Sequence, residues 1–179
     1  GCREAVLRAD AVICVSDFTR DELLLNTYVA PNKVFTVPNG LAPIFIPASE
    51  DAMARVKKKY GLSDRPFVLF VGTIGRRKNL VRLVEAFAAS KLLEDFDLVP
   101  AGKWGDATAA GREASARCGI LERVKLLGIT QEEDLPPLIS AAHILAMPSL
   151  YEGVGLPVLE AMGCTVHRDS VGIEVVGPA

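Results

Sequence analysis

Five consecutive apolar residues, Phe67-Val68-Leu69-Phe70-Val71, run straight into Gly72-Thr73-Ile74-Gly75. A segment follows whose apolar side chains recur at Leu80, Leu83, Val84 and Phe87. An uninterrupted apolar strand has no polar face, so it must be covered on both sides, as strands of a parallel sheet are. The i, i+3, i+4, i+7 spacing predicts a helix with a single apolar stripe. Asn79 stands where it can cap that helix. Strand, glycine-containing turn and helix together make the unit from which doubly wound sheets are built.

The unit recurs down the chain. Asp97-Leu98-Val99-Pro100-Ala101 reads as a second strand, although Pro100 removes a ladder hydrogen bond. Gly102-Lys103-Trp104-Gly105 forms a loop at its end, and an Ala-rich helix is expected over residues 106–117. Residues 124–127 give a third strand, closed by Gly128. Thr130 and Glu133 have the spacing of a capping box, ahead of a stripe at Leu135, Leu138, Ile139 and Ala142. Pro136 and Pro137 fit that helix only because they come early in it. Residues 144–147 are the fourth strand, and His143 at its start is read as structural. Four strands alternating with helices after residue 66 predict an α/β, doubly wound, Rossmann-like parallel sheet.

In such sheets ligands bind at the C-terminal edge. The turn after the first strand places Arg76, Arg77 and Lys78 there. Arginine offers phosphate a bidentate fork and lysine a point charge. Gly72 and Gly75 do not have dinucleotide-fingerprint spacing, and no Gly-Lys-Ser/Thr follows. A nicotinamide-dependent dehydrogenase and a P-loop enzyme are both poor readings. The fourth strand delivers a second candidate segment, residues 151–164. There Gly153 and Gly155 precede a helix opened by Pro157, which suits a first turn because its missing N–H would be unpaired anyway. Free N–H groups and the positive end of a helix dipole suit an anion. Glu152 and Glu160 bracket that start. Carboxylates beside a phosphate site need another task, and sugar hydroxyls supply one. Cations, a helix start and paired carboxylates on one sheet edge describe a nucleotide-sugar pocket.

Composition narrows the field. Half of the 179 residues are apolar, 23% are charged, and the net charge is −2. That balance gives no global attraction to nucleic acid or to anionic membrane. No apolar run is long enough to suggest a membrane span. Cys2, Cys14, Cys118 and Cys164 are scattered, and neither His143 nor His167 makes metal-ligand spacing with them. Neither a zinc site nor a disulfide framework is expected, and reduced thiols in a cytoplasmic protein are. No Ser-His-Asp or Cys-His arrangement can be assembled.

The N-terminal part is built differently. Residues 11–15 form a short strand, and Thr19 with Glu22 resembles a capping box for a helix reaching about Tyr28. A strand is expected over residues 33–37. Pro38-Asn39-Gly40, Pro43 and Pro47 mark residues 38–48 as a hinge or linker. A helix over about 49–60 follows, stopped by Gly61, with Lys57-Lys58-Lys59 on a solvated face. Gly1-Cys2-Arg3 has no initiator Met and no signal-peptide layout, and reads as a cut inside a longer protein.

Two segments carry a resemblance to a known family. Phe70-Val71-Gly72-Thr73-Ile74-Gly75-Arg76-Arg77-Lys78-Asn79-Leu80 resembles the donor-phosphate loop of retaining GT-B glycosyltransferases, family 4 (glycosyl transferases group 1). Pro148-Ser149-Leu150-Tyr151-Glu152-Gly153-Val154-Gly155-Leu156-Pro157-Val158-Leu159-Glu160-Ala161-Met162 is similar to that family's E-x7-E signature. Ala9-Asp10 through Ser16 and Val37-Pro38-Asn39-Gly40 match as well, so the likeness covers nearly all of the chain up to Cys164. It implies transfer of a sugar from a nucleotide-sugar donor to an acceptor hydroxyl, with retention at the anomeric carbon. It implies that Arg77 and Lys78 bind the diphosphate and stabilise the leaving nucleotide, that Glu152 faces the donor sugar, and that Glu160 holds the ribose. Thr73, Arg76, Gly102, Lys103, Gly153, Val154, Gly155 and Leu156 complete the implied donor site, the backbone of 153–155 meeting the distal phosphate. No metal or other cofactor is implied. The wording of the phosphate loop is similar to bacterial polysaccharide mannosyltransferases that use GDP-mannose, with a glycan or lipid-linked glycan acceptor at the inner face of the membrane.

The chain also departs from the family. A GT-B enzyme has two Rossmann-like domains, acceptor domain first. Residues 1–37 resemble only the last βα unit of that domain with its connecting strand, leaving 49–179 as the nucleotide-sugar domain. The chain is thus read as the C-terminal, donor-binding half of a GT-B fold, inactive or weakly active alone. Gly75 and Arg76 stand where the family commonly has an acidic residue and Pro. After Cys164 the family's usual strand is replaced by Thr165-Val166-His167-Arg168-Asp169-Ser170, and residues 174–179 resume something family-like. A second reading is a non-catalytic nucleotide-binding or protein-interaction remnant, whose uncovered apolar surface predicts self-association.

Overall fold

A computed structural model describes residues 2–164, and the expectation about the tail beyond Cys164 lies outside the described residues. The chain divides into two compact units. Among the described residues, the smaller holds those up to Gly40 together with Glu152–Gly155, and the larger holds Leu41–Tyr151 and those from Leu156.

The larger unit contains α3 (Glu50–Lys59), β3 (Phe67–Val71), α4 (Leu80–Ala89), α5 (Leu92–Asp95), β4 (Asp97–Ala101), α6 (Thr108–Arg117), α7 (Leu135–Ala141), β5 (Ile144–Leu145) and α8 (Leu156–Cys164). The smaller contains α1 (Cys2–Arg8), β1 (Val12–Cys14), α2 (Asp17–Asn26) and β2 (Val34–Thr36). In the larger unit β3 lies between β4 and β5, and both pairings are parallel, with Phe67 opposite Asp97 and Val68 opposite Ile144. Successive residues of a strand face opposite sides. On one side Val68, Phe70 and Leu98 pack with Leu80, Val84 and Phe87 of α4 and Ala114 of α6. On the other, Phe67, Leu69 and Val99 pack with Val56 of α3, Leu138 and Ile139 of α7, and Ala161 and Cys164 of α8. Both faces are covered, as the uninterrupted apolar strand requires.

Several local expectations need correction. Residues 124–127 run along the outer edge of β4 but form no continuous ladder with it, only isolated bridges from Leu98 to Val124 and from Ala101 to Gly128. Proline explains why. A residue's N–H and C=O point to the same side of its strand. Leu98 and Pro100 both turn their carbonyls to this segment, accepting from Lys125 (2.8 Å) and Leu127 (3.0 Å). The N–H that Pro100 lacks is therefore missing on this side, and the ladder loses a rung. From 98 to 101 is three steps and from 124 to 128 is four. The extra residue is a bulge.

Helix starts also shift. The cap of α2 is Ser16, whose hydroxyl accepts from the Thr19 N–H at 3.1 Å, so Thr19 is not the cap. No capping box forms at Thr130; α7 begins at Leu135 after a 3-10 turn, with proline early in it. Asn79 makes no side-chain cap for α4. Ser49 does cap α3, accepting from the Ala52 N–H, and Gly61 (φ 64°) follows that helix. In the smaller unit β1 and β2 pair in parallel, and Cys14 and Val34 form a small core with Val29.

Candidate functional site

The C-terminal edge of the larger unit's sheet is drawn together by backbone. Gly72 N–H donates to Ala101 O (2.9 Å), Ile74 N–H to Lys103 O (2.9 Å) and Gly102 N–H to Gly128 O (2.7 Å). Pairing thus continues past the ends of β3 and β4. It demands glycine at 102, where φ is +144° and an added Cβ would lie 2.1 Å from the Gly72 carbonyl oxygen.

Beyond Gly75 the chain makes one 3-10 turn, Arg76–Lys78. Its three cations have different surroundings. Lys78 folds back over Gly72, such that a Cβ there would meet Lys78 Cε at 3.3 Å and Nζ at 3.6 Å. The ammonium group stands at the mouth of β3. Arg76 points to solvent beside Asp106. Its N–H donates to Asp106 Oδ1 (3.2 Å), and its Nε lies 3.8 Å from Oδ2, the two side chains being 90% and 65% exposed. Such an open pair contributes little stability. Arg77 faces the segment leading to residue 152: Nη1 donates to Tyr151 O (2.6 Å), and Arg77 O accepts from Leu150 N–H (2.9 Å).

The next loop carries Lys103 and Trp104, both exposed. The Arg112 guanidinium lies 5.2 Å from the Trp104 ring centroid, and a Cβ on Gly128 would be 3.4 Å from the Trp104 Nε1. Thr73 O accepts from Gly75 N–H at 2.8 Å. The structure therefore gathers Thr73, Arg76, Arg77, Lys78, Gly102 and Lys103 at one sheet edge.

Helix α8 belongs to the same unit and begins at Leu156, with Pro157 second. Glu160 is half-buried on it. Among the described residues no donor or cation reaches its carboxylate, and burial raises its pKa above the ordinary 4.5. A desolvated carboxylate with unused lone pairs is suited to accept from ligand hydroxyls. One turn on, burial pushes the Cys164 thiol to about 11, with Glu160 adding to the rise and a Ser140 hydrogen bond opposing it. That thiol is not nucleophilic near neutrality.

Glu152, Gly153, Val154 and Gly155 belong to the smaller unit. There the Ser16 hydroxyl donates to Gly153 O at 2.6 Å. Ser16 has one hydroxyl proton, so in its 3.0 Å contact with the Thr19 hydroxyl it accepts. A Cβ on Gly153 would lie 3.2 Å from Thr19 Oγ1 and 3.3 Å from a Val15 methyl. Glycine lets this loop seat on the start of α2.

Sequence reasoning missed Asn79 and Ser149 beside the cationic turn of the larger unit, and Ser16 beside Gly153 in the smaller. Asn79 Nδ2 donates to Pro148 O (3.2 Å). The Ser149 hydroxyl is buried without a partner among the described residues, a condition normally met by water or ligand. Only Ser16 gave a usable signal, as a serine between an apolar strand and a helix. Clefts of about 310 Å³ beside residues 124–127 and about 490 Å³ beside α3 include none of the expected site residues. Among the described residues no three His, Cys, Asp or Glu side chains gather as a metal site, and no helix is long and apolar enough to cross a membrane.

The sequence profile of the glycosyl transferases group 1 matches residues 53–167. Alpha-D-kanosaminyltransferase of Streptomyces kanamyceticus is 32% identical over 177 residues, covering 98% of this chain and 45% of that protein. O-antigen chain mannosyltransferase B of Escherichia coli is 31% identical over 188 aligned residues, covering 98% and 48%. The chain thus spans about half the length of the curated relatives it matches. The structure of Anabaena Alr3699/HepE, solved with UDP and glucose, superposes with a TM-score of 0.81 at 21% identity, over 91% of this chain and 45% of that one. The likeness bears out the expected α/β, Rossmann-like fold as one half of a GT-B glycosyltransferase.

Proposed function

Because this chain belongs to the glycosyl transferases group 1, we propose that it is the donor-binding half of a retaining hexosyltransferase, moving a sugar from a nucleotide diphosphate to an acceptor hydroxyl. The observation that carries this reading is Lys78, whose ammonium lies over Gly72 at the sheet edge where open α/β folds bind ligands. Breaking the glycosidic bond leaves negative charge on the departing diphosphate. Lys78 and Arg77 stabilise that charge as it develops, which favours the transition state over bound substrate. Glu160 accepts from the ribose hydroxyls, its lost hydration replaced by theirs. Glu152 faces the sugar hydroxyls, and the backbone of Gly153, Val154 and Gly155 meets the distal phosphate. Thr73, Arg76, Gly102, Lys103 and Leu156 line the donor. Cations and helix dipole carry the phosphate charge, so no metal is required.

The donor read here is GDP-mannose, supported by the wording of residues 72–79 and by a relative named a mannosyltransferase. The acceptor is a glycan or lipid-linked glycan, met in the cytoplasm at the inner membrane face, and the chain alone transfers little. Calorimetry with GDP, GDP-mannose, UDP and UDP-glucose tests this. Lys78→Ala is expected to weaken binding roughly 10- to 100-fold, the loss of about 1.5–3 kcal/mol typical of a charged hydrogen bond. Unchanged affinity in Lys78→Ala, or binding of none of the four, refutes the reading.

A second reading, a non-catalytic interaction module, is favoured by one observation. Ile13 and Phe35 are direct neighbours across β1 and β2, yet 68% and 52% exposed. Parallel sheets are normally covered on both faces. On this reading the face takes a second copy of the chain.

A further inference from the structure

We propose that Asn79 is a positioning residue: its side-chain amide stitches the cationic turn to residues 148–151, the chain that runs on into Glu152. This rests on the donor-binding reading above and assigns a role to a residue outside the expected site.

Three bonds make the seam. Asn79 Nδ2 donates to Pro148 O at 3.2 Å, Leu150 N–H donates to Arg77 O at 2.9 Å, and Arg77 Nη1 donates to Tyr151 O at 2.6 Å. Together they fix successive parts of residues 148–151 to the turn. Arg77 is itself expected to meet the diphosphate, so its guanidinium divides its donors between Tyr151 O and ligand. The Asn79 amide is not divided in this way, because Asn79 is outside the residues expected to meet the donor.

The backbone of Asn79 supports the assignment. It is the only non-glycine residue with positive φ among the described residues, at φ 56° and ψ 37°. That left-handed conformation is disfavoured for residues other than glycine, and Asn and Asp tolerate it best. A capping residue would instead be extended, as Ser16 and Ser49 are. The left-handed bend ends the 3-10 turn, with Asn79 N–H donating to Arg76 O at 3.1 Å, and α4 starts at the next residue. Asparagine is thus the residue type that combines the bend with an amide donor. Glycine would supply only the first and aspartate would oppose the second, setting a carboxylate against a carbonyl.

Three variants separate these contributions in the intact chain: Asn79→Gly keeps the bend and loses the amide, Asn79→Asp keeps bend and size but removes the donor, and Asn79→Ala loses both. Each is titrated with GDP and with GDP-mannose, and with the uridine pair if wild type prefers it. Hydrogen exchange of the Leu150 amide is followed in parallel. The expected result is that Gly and Asp variants lose about fivefold more affinity for the nucleotide sugar than for the bare diphosphate, about 1 kcal/mol at 25 °C, and that Leu150 exchanges faster. A general loss of fold would instead weaken both ligands equally. An Asn79→Gly variant that matches wild type on both ligands shows that only the bend matters, and overturns the proposal. So does equal loss on both ligands. If wild type binds neither nucleotide nor nucleotide sugar, the donor-binding reading itself fails, a result distinct from any variant-specific one.

Discussion

Gly102→Ala is the sharpest test of how the sheet edge is built. A Cβ at 102 would stand 2.1 Å from the Gly72 carbonyl oxygen and 2.6 Å from its carbon, with φ at +144°. Neither atom belongs to a flexible side chain, so backbone must move. Backbone strain contributes about 1–3 kcal/mol and overpacking about 1–3 kcal/mol. The displacement also loosens the Gly72–Ala101, Ile74–Lys103 and Gly102–Gly128 bonds, each contributing about 1 kcal/mol. A loss of about 4 kcal/mol is expected, a large share of the 5–15 kcal/mol typical of a domain. Gly61→Ala is the control: φ is +64° and nothing lies within 4 Å of the added Cβ, leaving only the left-handed penalty of about 1–2 kcal/mol. At about 2–4 °C per kcal/mol for a chain of this size, Gly102→Ala should lower the melting midpoint by about 8–16 °C and Gly61→Ala by about 2–8 °C. Fluorescence of Trp104, the single tryptophan, reports unfolding where the change is made, since its indole borders Gly128. If Gly102→Ala unfolds within about 1 kcal/mol of Gly61→Ala in urea, the close approach of Gly72 and Gly102 is wrong.

Two further outcomes follow from burial and exposure. Burial raises the pKa of Glu160 above 4.5, so the folded chain keeps this proton to higher pH than the unfolded chain. Its stabilising contribution is full below about pH 4.5 and is lost as pH rises through the folded value. Glu160→Gln should therefore raise the urea midpoint at pH 7, leave it nearly unchanged at pH 4, and weaken nucleotide binding about tenfold; a midpoint lowered at pH 7 contradicts the desolvation account. Ile13→Lys on the open face of β1 should shift the chain toward monomer in light scattering, whereas wild type showing only monomer at high concentration removes the case for self-association.

What was legible in the sequence was what short segments decide alone. The run Phe67–Val71 has no polar face, and Leu80, Val84 and Phe87 lie buried on the one helical stripe their spacing predicts. Those two patterns, repeated, fix a parallel sheet covered on both sides and hence the edge at which Arg76, Arg77 and Lys78 emerge. Cap positions were less legible because Ser16 and Thr19 carry the same hydroxyl chemistry; which one caps depends on the extended backbone at Ser16. Pro100 did signal a missing donor, but only the pairing directions tell which neighbouring segment loses it.

The seam beside the cationic turn was illegible for a more general reason. Asn79 reaches Pro148 and Arg77 reaches Tyr151 across 69 and 74 positions, and in both cases the acceptor is a main-chain carbonyl. Every residue has that group, so no residue type at 148 or 151 advertises the contact. The Ser16 bond to Gly153 O, across 137 positions, is hidden in the same way. Side-chain chemistry named the groups proposed here to hold a nucleotide sugar, whereas the bonds that fix the chain beside them end on backbone. Substitutions at the donor side chains of these bonds are therefore the ones that separate loss of a ligand contact from loss of its positioning.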